Sequence, residues 1–212
     1  MQTSQIKFFI IILFIVIISI SFIGCKDKGD FQKITLDWSE DYIGELASGF
    51  KTDAKYKNWV LVRSGTPKAE SVSILFQSNE LFNSGIIEPL KKGFLVSGHV
   101  INFYYYLVVI DQENIKNYLT EPDDLVNFFG EIDSMEEALM IAKVNNYNID
   151  YLHSEGSSFR LTEDGYDFLL FKEEENDKIE FRQYIVSISS KGQITAKKGE
   201  IYCQGYVDCF ER

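Results

Sequence analysis

The chain has 212 residues and a formal net charge of −11, with 45% hydrophobic and 15% aromatic residues. That is enough apolar material for one ordinary domain or two small ones, and too much for wholesale disorder. So acidic a chain is repelled by phosphate backbones and anionic lipid heads, which argues against nucleic-acid binding and favours a basic partner protein or simple solubility.

The first element is a leader. Lys7 precedes an almost pure hydrocarbon run, Phe8 to Phe22, followed by Ile23, Gly24 and Cys25. A positive start, an apolar stretch and a small residue at the cut predict a secretory signal peptide. The alternative is an uncleaved anchor, although the run sits at the lower edge of the roughly 17–25 residues a spanning helix needs. Phe22-Ile23-Gly24-Cys25 resembles the lipobox of bacterial lipoproteins. That resemblance implies cleavage before Cys25, a diacylglyceryl thioether on its sulfur and an acylated new N-terminus. The protein would then be held on the membrane through lipid on Cys25, in the cell envelope at the outer membrane, periplasmic or surface-facing. Cleavage would remove one lysine and no acid, taking the charge to −12. The predicted order is a leader over 1–24, a lipidated cysteine and tether over 25–32, an N-terminal half over 33–130 and a C-terminal half over 131–212. The lysine-and-acid pattern after Cys25 is also loosely similar to a surface-export signal of Bacteroidota lipoproteins, and the whole chain has the look of small lipoproteins of that group.

In the N-terminal half, Ser39 is placed to cap a helix that carries Tyr42, Ile43, Leu46 and Phe50 on one face. Trp59 to Val62 reads as a buried strand, closed by Ser64-Gly65-Thr66-Pro67. Residues 72–82 fit a helix and a strand equally. From Val100 to Ile110 both alternating faces are apolar, which predicts a central strand. Asp111 is then expected to cap a helix through Ile115 and Leu119 that stops before Pro122.

The C-terminal half has sharper punctuation. Ser134 and Glu137 have capping-box spacing and open a helix burying Ala138, Leu139, Ile141 and Ala142, with Tyr147 a further candidate. Strands are predicted at 148–152, 158–162, 166–172, 179–189 and 193–197, separated by turns at Glu163-Asp164-Gly165, Glu174–Asp177 and Ser190-Lys191-Gly192. Along 181–188, Tyr184, Val186 and Ile188 should face the helix, with Ser187 toward solvent. The expected class is therefore α+β: an antiparallel β meander covered by a helix in the C-terminal half, packed against a smaller mixed α+β N-terminal half. Ser134 to Ala142, Tyr184 to Ile188 and Gly192-Gln193-Ile194 resemble a PepSY-type module over about 132–202. Such modules occur in secreted and envelope-anchored proteins, often as binding or peptidase-inhibiting elements without catalytic residues. An extra strand and the acidic turn at 173–177 depart from that pattern.

Chemistry-bearing residues are sparse. Ser97 and His99 would share a strand face about 7 Å apart at the backbone, too far for a nucleophile and its base. No metal, nucleotide or cofactor motif is present in the sequence. Glu131, Asp133, Glu136 and Glu137 gather at a helix start, which capping and the dipole explain, and Glu173 to Asp177 gather at a turn. With Cys25 lipidated, Cys203 and Cys209 are left as a pair. A disulfide is expected, the alternatives being free thiols or a metal or redox pair that the five-residue spacing does not match. The tyrosines of the 103–106 run, Tyr104 and Tyr106, are candidates for a partner surface, with core packing as the alternative use. The expected function is a non-catalytic protein- or peptide-binding module on the envelope, with a carboxylate hydrolase as the alternative.

Overall fold

The computed structural model describes residues 31–36, 42–65, 72–79, 87–97, 102–175 and 177–210. The leader, Cys25, Ser39, Thr66, Pro67, Gly98 and His99 lie outside them, and with them the expectations placed there. Among the described residues no helix is long and apolar enough to cross a membrane.

Two antiparallel sheets and four α-helices make up the described chain, an α+β class. In the first sheet β2 (Tyr56–Ser64) lies between β3 (Val72–Gln77) and β5 (Phe103–Asp111). The far side of β5 pairs with β4 (Leu95–Ser97) and then with β6 (Lys116–Leu119), so β5 is central. Its register sets Val109 against Trp59, Val108 against Val60 and Leu107 against Leu61, all at most 5% exposed. The segment that fitted helix and strand equally is β3. It is an edge strand, half-buried at most positions, so it shows no clean alternation.

Asp111 does not cap a helix. Its Oδ1 accepts from the backbone N–H of Glu113 and Ile115, both at 2.9 Å, and Asn114 takes a left-handed φ of 64°. The same side-chain-to-backbone bonding that opens helices closes a hairpin here. Ile115 stays 52% exposed, so the segment lacks the apolar face a helix would bury. Pro122, expected as a stop, is instead the first residue of helix α2 (Pro122–Phe129), where its missing N–H costs nothing. Asp124 Oδ2 accepts from Thr120 and Glu121 at 2.9 Å each to fix that start.

Helix α1 spans Tyr42–Ala47 and buries Ile43 and Leu46. Helix α3, Met135–Val144, has its capping box intact: Glu137 N–H donates to Ser134 Oγ at 3.2 Å, and Ser134 N–H to Glu137 Oε2 at 3.3 Å. Ala138, Leu139, Met140, Ile141 and Ala142 are at most 2% exposed. The second sheet runs β1 (Gln32–Lys33), β7 (Ser158–Thr162), β8 (Gly165–Glu175), β9 (Ile179–Ser189) and β10 (Ile194–Gln204). Gln32, assigned from sequence to the tether, is already paired with Phe159. Helix α3 packs on β8 and β9 and also touches α1 and α2. One continuous core links the two sheets through these helices, with Leu46, Leu125, Phe128, Leu139, Phe168 and Val186 all at 0% exposure.

Two further expectations change. Residues 148–152 are not a strand: Asn148 makes a single bridge to Phe171, and the chain then bends through Asp150 into a 3₁₀ turn at Ser154–Gly156. The last strand runs on to Gln204, well past Lys197, and Gly205 at φ 88° turns it into helix α4 (Tyr206–Phe210).

Candidate binding surface

Cys203 and Cys209 form a disulfide that clamps α4 to the end of β10. The clamp closes a small second core with Phe171 and Phe181, on the sheet face away from α3. The Phe171 and Phe181 rings stack at 4.2 Å, and Phe210 meets Phe181 edge-on at 5.1 Å. The pairing is a staple, as expected from the cysteine count.

Of the two candidate partner tyrosines, Tyr106 is corrected. Tyr106 is fully buried, and its hydroxyl donates to the Glu88 carbonyl at 2.8 Å. Burial pushes that phenol up from its ordinary value. Tyr104 is half-buried. Tyr105 and Tyr106 fill the core, while Phe103 and Tyr104 at the start of β5 are half-buried. The Ser97 hydroxyl, considered as a nucleophile, donates to the Tyr105 hydroxyl at 3.3 Å.

The helix-start carboxylates separate by role. Asp133 pairs with Lys51 at 3.0 Å on the surface, while Glu137 is wholly buried. Glu137 accepts from the backbone N–H of Lys51 at 2.6 Å and Asp133 at 3.0 Å, beside its cap bond to Ser134. Burial nonetheless pushes its carboxyl up. Among the described residues no group of three or more His, Cys, Asp or Glu is placed to hold a metal ion.

Sequence reasoning missed a histidine cluster. Asp150, 4% exposed, accepts from Leu152 N–H at 2.9 Å, His153 N–H at 3.2 Å and the Tyr202 hydroxyl at 3.0 Å. His153 Nδ1 lies 2.6 Å from its Oδ2. Burial, and then the Asp150 charge, push the Tyr202 phenol far up, so it remains a donor. The nearby serine hydroxyls are spent on other bonds: Ser154 donates to Glu155, Ser157 to the His153 carbonyl and Ser158 to the Ser154 carbonyl. Gly156 lets the turn close, since a Cβ there would run into the Tyr202 hydroxyl and Asp150. This cluster anchors a loop.

The other missed feature lies where α3 ends. Helix α3 covers part of β8 and β9, and the inner face of the sheet continues beyond it through Lys172, Arg182, Tyr184 and Lys198. Register places Lys172 opposite Arg182, and Tyr184 between Leu170 and Lys198. Asn146, at φ 64°, turns the chain after α3 and brings Tyr147 over this face. Lys172 Nζ sits 3.9 Å from the Tyr147 ring centre and 5.9 Å from that of Tyr184, with the two rings 5.5 Å apart. Glu174 is the carboxylate shared by Arg182 Nε and Lys198 Nζ, both at 2.9 Å, and Tyr184 donates to it at 3.3 Å. Beside the turn, Lys143 Nζ donates to Asn148 Oδ1 at 2.5 Å, and burial brings that amine down to about 8. Four cations and three tyrosines, counting Tyr42 under Lys143 at 5.8 Å, thus gather at one end of an acidic protein. The signal was invisible in sequence because the partners are cross-strand neighbours.

Lys198 and Arg182 hold the Glu174 carboxyl down at about 2, below its ordinary 4.5. A depressed carboxylate contributes stability above its unfolded value, and that contribution is lost as pH falls through the folded one. Thermal melts of the wild type and Glu174→Gln should therefore differ at neutral pH and converge between pH 4.5 and 2. A gap that persists at pH 2 would show that the ion pairs are not its source.

No family model matches the chain, and no curated protein or solved structure matches it either.

Proposed function

We propose that this is a lipid-anchored, non-catalytic binding module of the bacterial envelope. The observation that carries the reading is the aromatic and cationic surface formed by Tyr147, Lys172, Arg182, Tyr184 and Lys198 at the uncovered end of the second sheet. Tyrosines packed edge to face give contact area at low entropic cost, and Arg and Lys held in place beside them give orientation. Lys172 has no carboxylate partner among the described residues, so its charge is left for a ligand. The hydrolase alternative calls for two convergent acids. Glu137, whose carboxyl burial raises, is closed in by three backbone N–H groups and has no room for a substrate. The resemblance of 132–202 to PepSY-type modules supports the same reading, and the lipobox-like Phe22-Ile23-Gly24-Cys25 supports the anchor.

The test places a photo-reactive benzoylphenylalanine at Tyr147 in cells. A discrete adduct that disappears in Lys172→Glu, with the melting temperature kept, is the expected result. A diffuse adduct pattern unchanged by the charge reversal would overturn the reading. For the anchor, Cys25→Ala should abolish incorporation of labelled fatty acid and leave the protein uncleaved or released. Normal acylation of that variant would end the lipoprotein proposal.

A further inference from the structure

The cationic surface borders an open sheet edge. Strand β10 pairs with β9 on one side, and among the described residues no strand pairs with its other side. Thr195, Ala196, Lys197 and Lys198 are all exposed. Their register with β9 is regular from Ile194 to Lys198 and breaks in two irregular steps between Lys198 and Cys203. Only the first five residues therefore present a straight edge, since bulges twist backbone groups out of line.

From this we infer that β10 accepts an extended, acidic peptide segment of a partner protein as an added strand along Ile194–Lys198. The inference rests on the binding-module reading above and names its ligand. Two features select the occupant. Edge strands left open are usually protected by lysines and bulges, and both are present here. A second copy pairing through β10 would bring Lys197 and Lys198 of the two chains together, in molecules that each also carry −11 overall. The same lysines suit an acidic strand. Lys198 and Ala196 project on the face of Tyr184 and Val186, and Lys197 and Thr195 on the face of Ile185 and Ser187. An added strand thus meets the two lysines with two adjacent side chains, one on each face, so the matching segment carries an acidic pair. Positions beside Thr195 and Ala196 suit small or β-branched residues; on the Lys198 side Glu174 is shared by Arg182 and Lys198, and with Lys172 the three cations outnumber that one carboxylate, so the field stays positive. Charge acts locally here. The Debye length is about 8 Å at physiological ionic strength, so the distant acids of the chain weaken approach more than contact. Main-chain bonds would supply affinity and the lysines direction, the usual division in strand addition.

The experiment uses the full-length protein in detergent and three blocked octapeptides of threonine and valine. One has two central glutamates, one has two central lysines, and one repeats the glutamate sequence with alternate backbone nitrogens methylated. Calorimetry should detect the glutamate peptide. Binding should fall at least about tenfold on methylation, and the same for the lysine peptide. Lys197→Glu/Lys198→Glu should reverse the preference between the charged peptides. Equal binding of the methylated and plain peptides, or indifference to the charge reversal, overturns strand addition. So does a dimer that forms through β10 in sedimentation and is abolished by Lys197→Glu/Lys198→Glu. If all three peptides fail while the Tyr147 photo-adduct still forms, this inference falls and the binding-module reading stands. If the adduct fails as well, both fall.

Discussion

Val186→Asp is expected to leave little folded protein at 25 °C, whereas Ser187→Asp, one position along, should keep the fold with a modestly lower melting temperature. Val186 is at 0% exposure, flanked across the sheet by Phe168, also at 0%, and lies in the core beneath α3. A carboxylate there either stays charged without a partner or takes up a proton, and each route costs several kcal/mol, of order 3–5. Domains of this size are stable by only about 5–15 kcal/mol, so the loss is a large fraction of the total. The neighbour is not the inert solvent position that alternation alone implies. Ser187 Oγ donates to Asp167 Oδ1 at 2.6 Å, and Arg160 grips the other oxygen through Nε at 3.0 Å and Nη2 at 2.7 Å. A second carboxylate beside Asp167 would compete for Arg160, at a cost of about 1 kcal/mol for a partly exposed group. Circular dichroism melts of both variants check the order. Equal stability would mean that the faces of β9 are assigned wrongly.

The difference between these neighbours shows which parts of the fold were readable in sequence. Residues 134–144 announce α3 because Ser134 and Glu137 specify its start and the buried positions recur at helical spacing. The hairpins of the second sheet are readable because Gly165 (φ 144°) and Gly192 (φ 72°) take turn conformations that favour glycine. Asp111 misled because an Asp side chain bonding to following N–H groups is common to helix starts and tight turns. What separates the two is the fate of Ile115, a tertiary matter. The 148–152 segment misled for a related reason. Its apolar alternation is real, but Asp150 organises a loop against Tyr202, which lies 52 residues downstream. The surface around Lys172 is the clearest case. Lys172, Arg182 and Lys198 look like ordinary solvated residues, and Tyr147 and Tyr184 like core positions, until register brings them to one face. The turn at 173–177 looked uniformly solvated, yet alternation along β8 turns Glu174 inward to Arg182 and Lys198 and leaves Glu173 and Glu175 outside.

Glu137→Ala is the second change expected to be severe. The carboxylate joins the chain after α1 to the start of α3, through Lys51, Asp133 and Ser134. Removing it leaves buried backbone donors without acceptors and a cavity, which together should cost about 3–5 kcal/mol. Glu137→Gln keeps one acceptor oxygen but turns an amide N–H toward a backbone donor, so a loss of about 2 kcal/mol is expected. The pH dependence tells whether burial or the donors dominate. Burial raises the folded carboxyl above its ordinary 4.5, with the bonds from Lys51, Asp133 and Ser134 opposing it. On acidification from neutral pH the folded protein therefore takes up this proton before the unfolded chain does. Proton uptake by the folded state first means that stability from this group increases toward pH 4.5 and is level below it. The glutamine variant has no such proton, so its deficit against the wild type should deepen between pH 7 and 4.5, as read in urea midpoints. The opposite trend, a deficit that shrinks on acidification, would mean that the three N–H groups hold Glu137 ionised and outweigh its burial.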